Sequence, residues 1–221
     1  MWIQNKILRL YKSYNFNRMI NQYVKTFIGN EKYKLIELPS KNNKSIYLIF
    51  TLKNKYILKV TTSEIIDREV YAYKVLAGNI SLPVIYKYTD KMIIEEYMDG
   101  VLLANLNIQN NKITKIYEDI GRSLNTIHKT QLDFQKVKYE YNLKNRIERN
   151  VGKLIGSLRN VVNENLYEKV EKFVQNNIDA ISRKNCLLHG DFIPDNIIIS
   201  ENQFQGIIDF GDKILSIVDK Q

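Results

Sequence analysis

The sequence predicts an α+β fold in two lobes, a β-rich N-lobe followed by a mainly helical C-lobe that contains a small β element. Three observations support this. Short segments rich in aromatic and β-branched residues fill residues 31–97. Apolar residues spaced by three and four dominate from residue 112 onward. Strand and loop character then returns in "CLLHGDFIPDNIIISENQFQGIIDFGD", residues 186–212. A chain of 221 residues with 44% hydrophobic and 26% charged residues can bury a substantial core, which excludes a disordered polymer.

Residues 1–30 read as an amphipathic helical extension. Ile3, Ile7, Leu8 and Tyr11, then Met19, Ile20, Tyr23, Val24 and Phe27, recur among basic and polar residues as one or two helices. Such a helix packs on the adjacent domain or lies on a membrane surface. "KYKLIELP", "KSIYLIF" and "KYILKV" then read as three antiparallel strands joined by turns. "SEIIDREVYAYKVLAGN" is a helix with Ile65, Ile66, Val70, Tyr73 and Leu76 on one side and Gly78-Asn79 as its stop. "VIYKY" and "KMIIEEYMDG" form a hairpin ending at Gly100 and complete an N-lobe over 31–97.

Residues 98–111 connect to a C-lobe over 112–221. Ile113, Ile116, Tyr117, Ile120, Leu124 and Ile127 define its first helix, with His128 packing at the end. A second helical region covers 143–159. A third covers 166–181 with Leu166, Val170, Phe173, Val174 and Ile178 facing inward.

A net charge of +9 either favours an anionic partner or reflects a solvated, lysine-rich surface. With no zinc-ligand spacing, aromatic RNA-binding signature or basic stripe, a nucleic-acid partner is not expected. The single cysteine, Cys186, forbids an intrachain disulfide and reads as a buried thiol. Neither a signal peptide nor a membrane-spanning stretch is evident, which makes the cytoplasm the default location.

The chemistry concentrates at the polar residues of 186–212. Two strands flanking a short turn can bring Asn196 and Asp209 side by side, an amide oxygen and a carboxylate suited to Mg²⁺. Asp191, in a loop that Pro194 keeps out of helix, can then orient a hydroxyl or accept its proton. In the N-lobe, Lys59 is the only charge within "YILKV", and Glu69 follows ten residues later on the helix. Together they suit an anion between the lobes. Taken singly, they fit equally a snorkelling lysine and a glutamate on a wet helix face.

"HGDFIPDN" followed by "IIDFGD" resembles the HGDxxxxN and IDFGD elements of aminoglycoside phosphotransferase-like kinases, which share the protein-kinase fold. "YILKV", "REVYAYKVL", "MIIEEYMDG" and "IGRSLNTIHKT" fall in that family's order, so the resemblance covers roughly residues 31–212. It implies ATP, with GTP as the alternative, and Mg²⁺. Asp191 would be the catalytic aspartate, Asn196 and Asp209 the metal ligands, and Lys59 the ligand of the α- and β-phosphates, held by Glu69. Backbone groups at Glu96, Tyr97 and Met98 would meet adenine. Glu95 would sit at the back of that pocket, face water, or bias the choice of purine. His189 would brace the catalytic loop. Asp212 would help bind metal or cap the chain beyond it.

Two departures from the family pattern stand out. The turn "PSKNNKS" has no glycine, which favours the small-molecule branch over protein kinases. Ser40, Asn42, Asn43 or Ser45 would there donate to the triphosphate, unless the segment is an ordinary exposed turn. Only "KILSIVDKQ" comes after Asp212, where family members usually continue, so the chain reads as shortened at its C-terminus.

The expected function is O-phosphoryl transfer to a hydroxyl of a small molecule or sugar. The basic segment "KVKYEYNLKNRIERNVGKL" favours an anionic acceptor. The alternatives are a catalytically impaired kinase-like scaffold or regulator, for which a homodimer would cover the open end of the helical lobe, and a small protein kinase.

Overall fold

The computed structural model describes residues 2–40, 44–106, 113–131, 153, 156–159, 161–181 and 187–212. The expected helix over 143–159 lies largely outside them, as do Asn42, Asn43 and Cys186. The architecture is the expected bilobal α+β one. The N-lobe is a five-stranded antiparallel sheet in the order β1-β2-β3-β5-β4, made of β1 (Tyr33–Leu38), β2 (Ser45–Thr51), β3 (Lys55–Val60), β4 (Ile85–Tyr88) and β5 (Met92–Glu96). One helix, α1 (Trp2–Ile28), covers one face of this sheet, and α2 (Ser63–Leu76) covers the other.

Strand alternation explains this two-sided packing. Successive side chains point to opposite faces. Tyr47 and Ile49 of β2, Leu58 and Val60 of β3, and Met92 and Ile94 of β5 form one buried cluster with Ile20, Tyr23 and Val24 of α1. Their neighbours Ile57, Lys59, Ile93 and Glu95 therefore point the other way. Ile93 meets Ile66 and Val70 of α2 there. The apolar face of α1 over residues 20–24 is thus occupied by the sheet, while the side chains of Ile3, Ile7, Leu8 and Tyr11 lie outside the described residues.

The C-lobe contributes α3 (Ile113–Lys129), α4 (Glu164–Ile181) and a small sheet in which β6 (Val101–Leu102) pairs with β7 (Ile197–Ser200), and β7 with β8 (Gln203–Ile207). The β7–β8 turn places Glu201 and Asn202 at φ 50° and 59°. Two left-handed residues match the right-handed twist of a tight hairpin. Ile116 and Ile120 of α3 pack on Ile197 and Ile199 of β7, while Ile127 joins the cluster formed by Ala72, Tyr73 and Leu76 of α2 with Leu187, Ile207 and Phe210.

Two helical faces differ from expectation. In α4 the inward positions are Tyr167, buried, and half-buried Val170 and Val174, whereas Leu166 and Phe173 are exposed. Leu166 and Phe173 are seven apart and share a flank about 100° from that stripe. Tyr167 takes the buried place, with the Arg159 guanidinium over its ring. His128, one residue past buried Ile127, is rotated into solvent rather than packed.

The seam between the lobes is tight. The loop after α2 reaches β8, where the Ile207 N–H donates to the Ser81 carbonyl at 3.2 Å and the Ser81 hydroxyl donates to the Gln205 carbonyl. Gly206 leaves room for this approach, since a Cβ there would fall 2.5 Å from the Met98 methyl. Gly100, at the end of the connection from β5, has φ +147° and would put a Cβ 2.5 Å from the Ile199 carbonyl oxygen. Gly100→Ala therefore combines backbone strain with a clash against a strand, and a loss of roughly 1–3 kcal/mol of stability is expected from strain alone. Urea unfolding of the two proteins measures it.

Candidate active site

Between the lobes lies a cavity of about 570 Å³. Its apolar part is supplied by Leu38, Ile46, Ile57, Leu102, Ile198 and Ile208, a slot suited to a flat ring. Its polar part gathers residues from distant points of the chain. Ser40, Lys44, Lys59, Glu95, Glu96, Tyr97, Met98, Asp191, Asn196 and Asp209 all line it. Of the described residues expected at the site, Ser45, His189 and Glu69 lie outside this group, and Glu69 stands directly behind Lys59.

Lys59 is 5% exposed, and its ammonium lies 2.5 Å from Glu69 Oε1 and 2.8 Å from Glu95 Oε1. The register makes this trio. Ile57 faces Glu95 and Lys59 faces Ile93 across β3 and β5, so Lys59 and Glu95 are diagonal neighbours on one face, within reach of long side chains. Glu69 descends from α2 and is fully buried. Glu95 therefore points into the protein rather than to water. Burial opposes the charge on Lys59, but the two carboxylates overcome it and hold the ammonium well above its ordinary range. Burial pushes the Glu95 carboxyl up to about 7 against the pull of Lys59, with the Glu69 charge adding to the rise. Glu69 Oε2, Glu95 Oε2 and the Tyr73 hydroxyl are buried without a hydrogen-bond partner.

The C-lobe half rests on β7 and β8. The Ile208 N–H donates to the Asn196 carbonyl at 3.0 Å, which sets the end of one strand beside the end of the other. The Asn196 amide nitrogen donates to the Asp191 carbonyl at 2.8 Å and to Asp191 Oδ2 at 3.3 Å. That orientation leaves the amide oxygen as the Asn196 atom for a cation. His189, 1% exposed, donates from Nε2 to the Ile208 carbonyl at 2.9 Å and accepts from the Asp191 N–H at Nδ1. A neutral ring protonated on Nε2 satisfies both bonds and braces the loop that carries Asp191.

Asp209 adopts φ +67°, a left-handed conformation that Asp tolerates better than most residues. Phe210 behind it is fully buried between Tyr73 and His189, with ring centroids 5.8 and 4.4 Å away. This apolar anchor fixes the strained carboxylate. Both Asp209 oxygens meet the Lys44 ammonium, at 2.9 and 3.1 Å. Burial pushes its carboxyl up, but the charges of Lys59 and Lys44 outweigh that and hold it below the usual carboxylate value.

Ser40 lines the cavity, yet its hydroxyl donates to the Lys44 carbonyl at 2.7 Å and closes the turn. Ser45 opens β2. The Glu96 N–H is committed to the Val84 carbonyl at 2.8 Å, and its carboxylate accepts from the Val84 N–H. A base at this connection would meet a carbonyl here or the backbone of Tyr97 and Met98. Asp212 ends the turn Phe210–Asp212, and its side chain lies outside the described residues. Two cleft residues were missed or half-read in the sequence. Lys44 gave no signal, since a lysine in a polar turn looks solvated. Glu95 could have been assigned from the alternation of "MIIEE" against the Lys59 strand.

A magnesium ion fits this donor set. An ammonium already sits on both oxygens of Asp209, so the position accepts a cation, and Asn196 and Asp191 line the same cavity. Among the described residues no three His, Cys, Asp or Glu side chains form a ready cage. Mg²⁺ needs none, because it is commonly held by one or two protein oxygens plus substrate phosphates and water.

A family model described as the phosphotransferase enzyme family, APH, matches residues 34–213. The chain belongs to this family. Among solved structures, the ternary complex of APH(2'')-IIa with streptomycin and ATP has a TM-score of 0.65 at 22% identity, over 90% of this chain and 71% of its own. ADP-bound aminoglycoside phosphotransferase APH(2'')-Ib has 0.63 at 22% identity, over the same shares. Spectinomycin phosphotransferase APH(9)-Ia, with ADP and spectinomycin, has 0.59 at 16%, over 90% and 69%. At these identities the likeness establishes the bilobal family fold. A comparison with curated protein sequences finds no match.

The Lys59 trio makes stability depend on pH in a specific direction. The folded protein holds the Glu95 proton more tightly than the unfolded chain, so this group's contribution is largest at low pH and is lost as pH rises toward and through about 7. Glu95→Gln removes that dependence. Its stability relative to the parent should rise between pH 5 and pH 8 by up to roughly 3 kcal/mol, as measured by denaturant unfolding.

Proposed function

We propose that the protein is an ATP-dependent O-phosphotransferase acting on a hydroxyl of a small molecule or sugar, with GTP as an alternative donor. The observation that carries this reading is the convergence of Lys59, Asp191, Asn196 and Asp209 on one interlobe cavity with an apolar slot beside them. Family membership supports it.

In this reading the purine lies in the slot against the connection at Glu96–Met98, and the phosphates run toward Lys59. Glu69 and Glu95 hold the Lys59 ammonium in place and charged, so it meets the α- and β-phosphates without rearranging. Asn196 and Asp209 would hold Mg²⁺, which when bound would screen the phosphate charge. Asp191 aligns the acceptor hydroxyl. The acceptor oxygen forms a bond to the γ-phosphorus while the bond to the β–γ bridging oxygen breaks. The hydroxyl proton passes to the Asp191 carboxylate, and the nucleoside diphosphate leaves. His189 keeps the Asp191 loop rigid through this step.

The basic segment 136–154 that favours an anionic acceptor lies, apart from Lys153, outside the described residues. The lining of the cleft sets two lysines against the carboxylates of Glu95, Glu96, Asp191, Asp195 and Asp209.

The test is nucleoside diphosphate release by the purified protein with MgATP or MgGTP and a panel of sugars and amino sugars. Asp191→Asn is expected to lower kcat by about 10²–10⁴-fold while nucleotide binding persists. Asp209→Ala is expected to lose both MgATP binding and turnover. A parent protein that neither binds MgATP or MgGTP nor turns either over would end this reading.

A further inference from the structure

We infer that Lys44 is a built-in counter-cation of Asp209: a metal-bound nucleotide that takes Asp209 displaces its ammonium, which then binds the incoming phosphates. This rests on the phosphotransferase reading above and adds to it a residue that neither the sequence motifs nor the family pattern marked.

The geometry is specific. Lys44 precedes β2 and Asp209 follows β8, 165 residues apart, yet the ammonium bridges both carboxylate oxygens at 2.9 and 3.1 Å. Their side chains are 7% and 22% exposed, so neither partner is a loose surface group. Lys59 cannot serve in its place, because its ammonium already lies against Glu69 and Glu95. A left-handed, largely enclosed aspartate without a cation would carry an uncompensated charge, which is costly to bury. Lys44 meets that need.

The same position makes Lys44 a competitor. An ammonium across both oxygens blocks the approach of a divalent ion to either, so the ion must displace it. The displaced ammonium remains at the cavity wall beside Ser40 and Ile46, where anionic phosphate oxygens are its natural next partner. One lysine thereby spans the cleft when it is empty and faces the nucleotide when it is filled.

The experiment measures binding rather than turnover on the full chain. Mn²⁺ affinity is read by electron paramagnetic resonance of the free ion without nucleotide, and Mg²⁺–AMP-PNP affinity by calorimetry. Lys44→Met is expected to bind Mn²⁺ at least 10-fold more tightly than the parent and Mg²⁺–AMP-PNP at least 10-fold more weakly. The gain in Mn²⁺ affinity should vanish when Lys44→Met is placed on Asp209→Asn. Lys44→Arg should keep Mn²⁺ binding near the parent level, which guards against a folding defect. Unchanged Mn²⁺ affinity in Lys44→Met, or a gain that persists on Asp209→Asn, would overturn the inference. So would an unaltered affinity for Mg²⁺–AMP-PNP. A parent that binds Mn²⁺ but no nucleotide would strike the phosphotransferase reading and the phosphate role of Lys44 together. The Mn²⁺ comparison would then still decide whether Lys44 holds Asp209.

Discussion

A buried ammonium needs counter-charge, and Lys59 obtains it from two elements at once. Glu69 comes from α2 and Glu95 from β5, so the ion trio ties the helix to the central strands of the sheet. If Lys59 were removed, two carboxylates would be left in a space that solvent does not reach, a change of the kind that costs about 3–5 kcal/mol. The trio is therefore a positional constraint more than a source of net stability. It fixes where α2 sits over the sheet, and α2 in turn bears on the turn Phe210–Asp212 of the other lobe. Gly211 lets that turn pass under Ile65, where a Cβ would fall 2.5 Å from the Ile65 Cγ2.

That contact carries the constraint across the cleft. Phe210 is locked between Tyr73 of α2 and His189 of the loop that holds Asp191. One aromatic ring thus registers the N-lobe helix against the C-lobe loop, and the polar groups on either side inherit their spacing from an apolar contact. His189 completes the circuit by bonding the Ile208 carbonyl, one residue before Asp209. Asp191 and Asp209 are consequently held by the same few buried side chains, although they lie eighteen positions apart in the chain.

The parts of this arrangement that were legible in the sequence are those written as contrast. Lys59 stood out because it interrupts an apolar strand. Asp191, Asn196 and Asp209 stood out because they border the most apolar segments of the C-lobe. Seven of the described strands and the helices α2, α3 and α4 were legible for the same reason, since periodicity is a one-dimensional signal. In contrast, β6 lies within what reads as the interlobe connection. What escaped depends on three-dimensional closure. Lys44 sits in a polar turn, and nothing local says that a carboxylate 165 residues away comes to meet it. In α4, both Leu166 and Tyr167 could lie inward by spacing, and the choice between them is made by what packs opposite. Glu95 lies between these cases: alternation fixes its face, but only the register against β3 shows that Lys59 is within reach.

The distribution of charge has its own consequence. The chain as a whole carries +9, yet the cleft is lined by more carboxylates than lysines. Most of the described lysines and arginines outside the cleft lie on the surface, where they raise the concentration of anions around the molecule but are screened within about 10 Å at ordinary salt. Inside the cleft a polyphosphate would meet Glu95, Asp191 and Asp209 together with Lys59, and those carboxylates would repel it. Such a site favours an anion that brings its own divalent cation over a bare one. Lys44 already shows where that cation is needed, because it is the position at which the folded chain has placed an ammonium of its own.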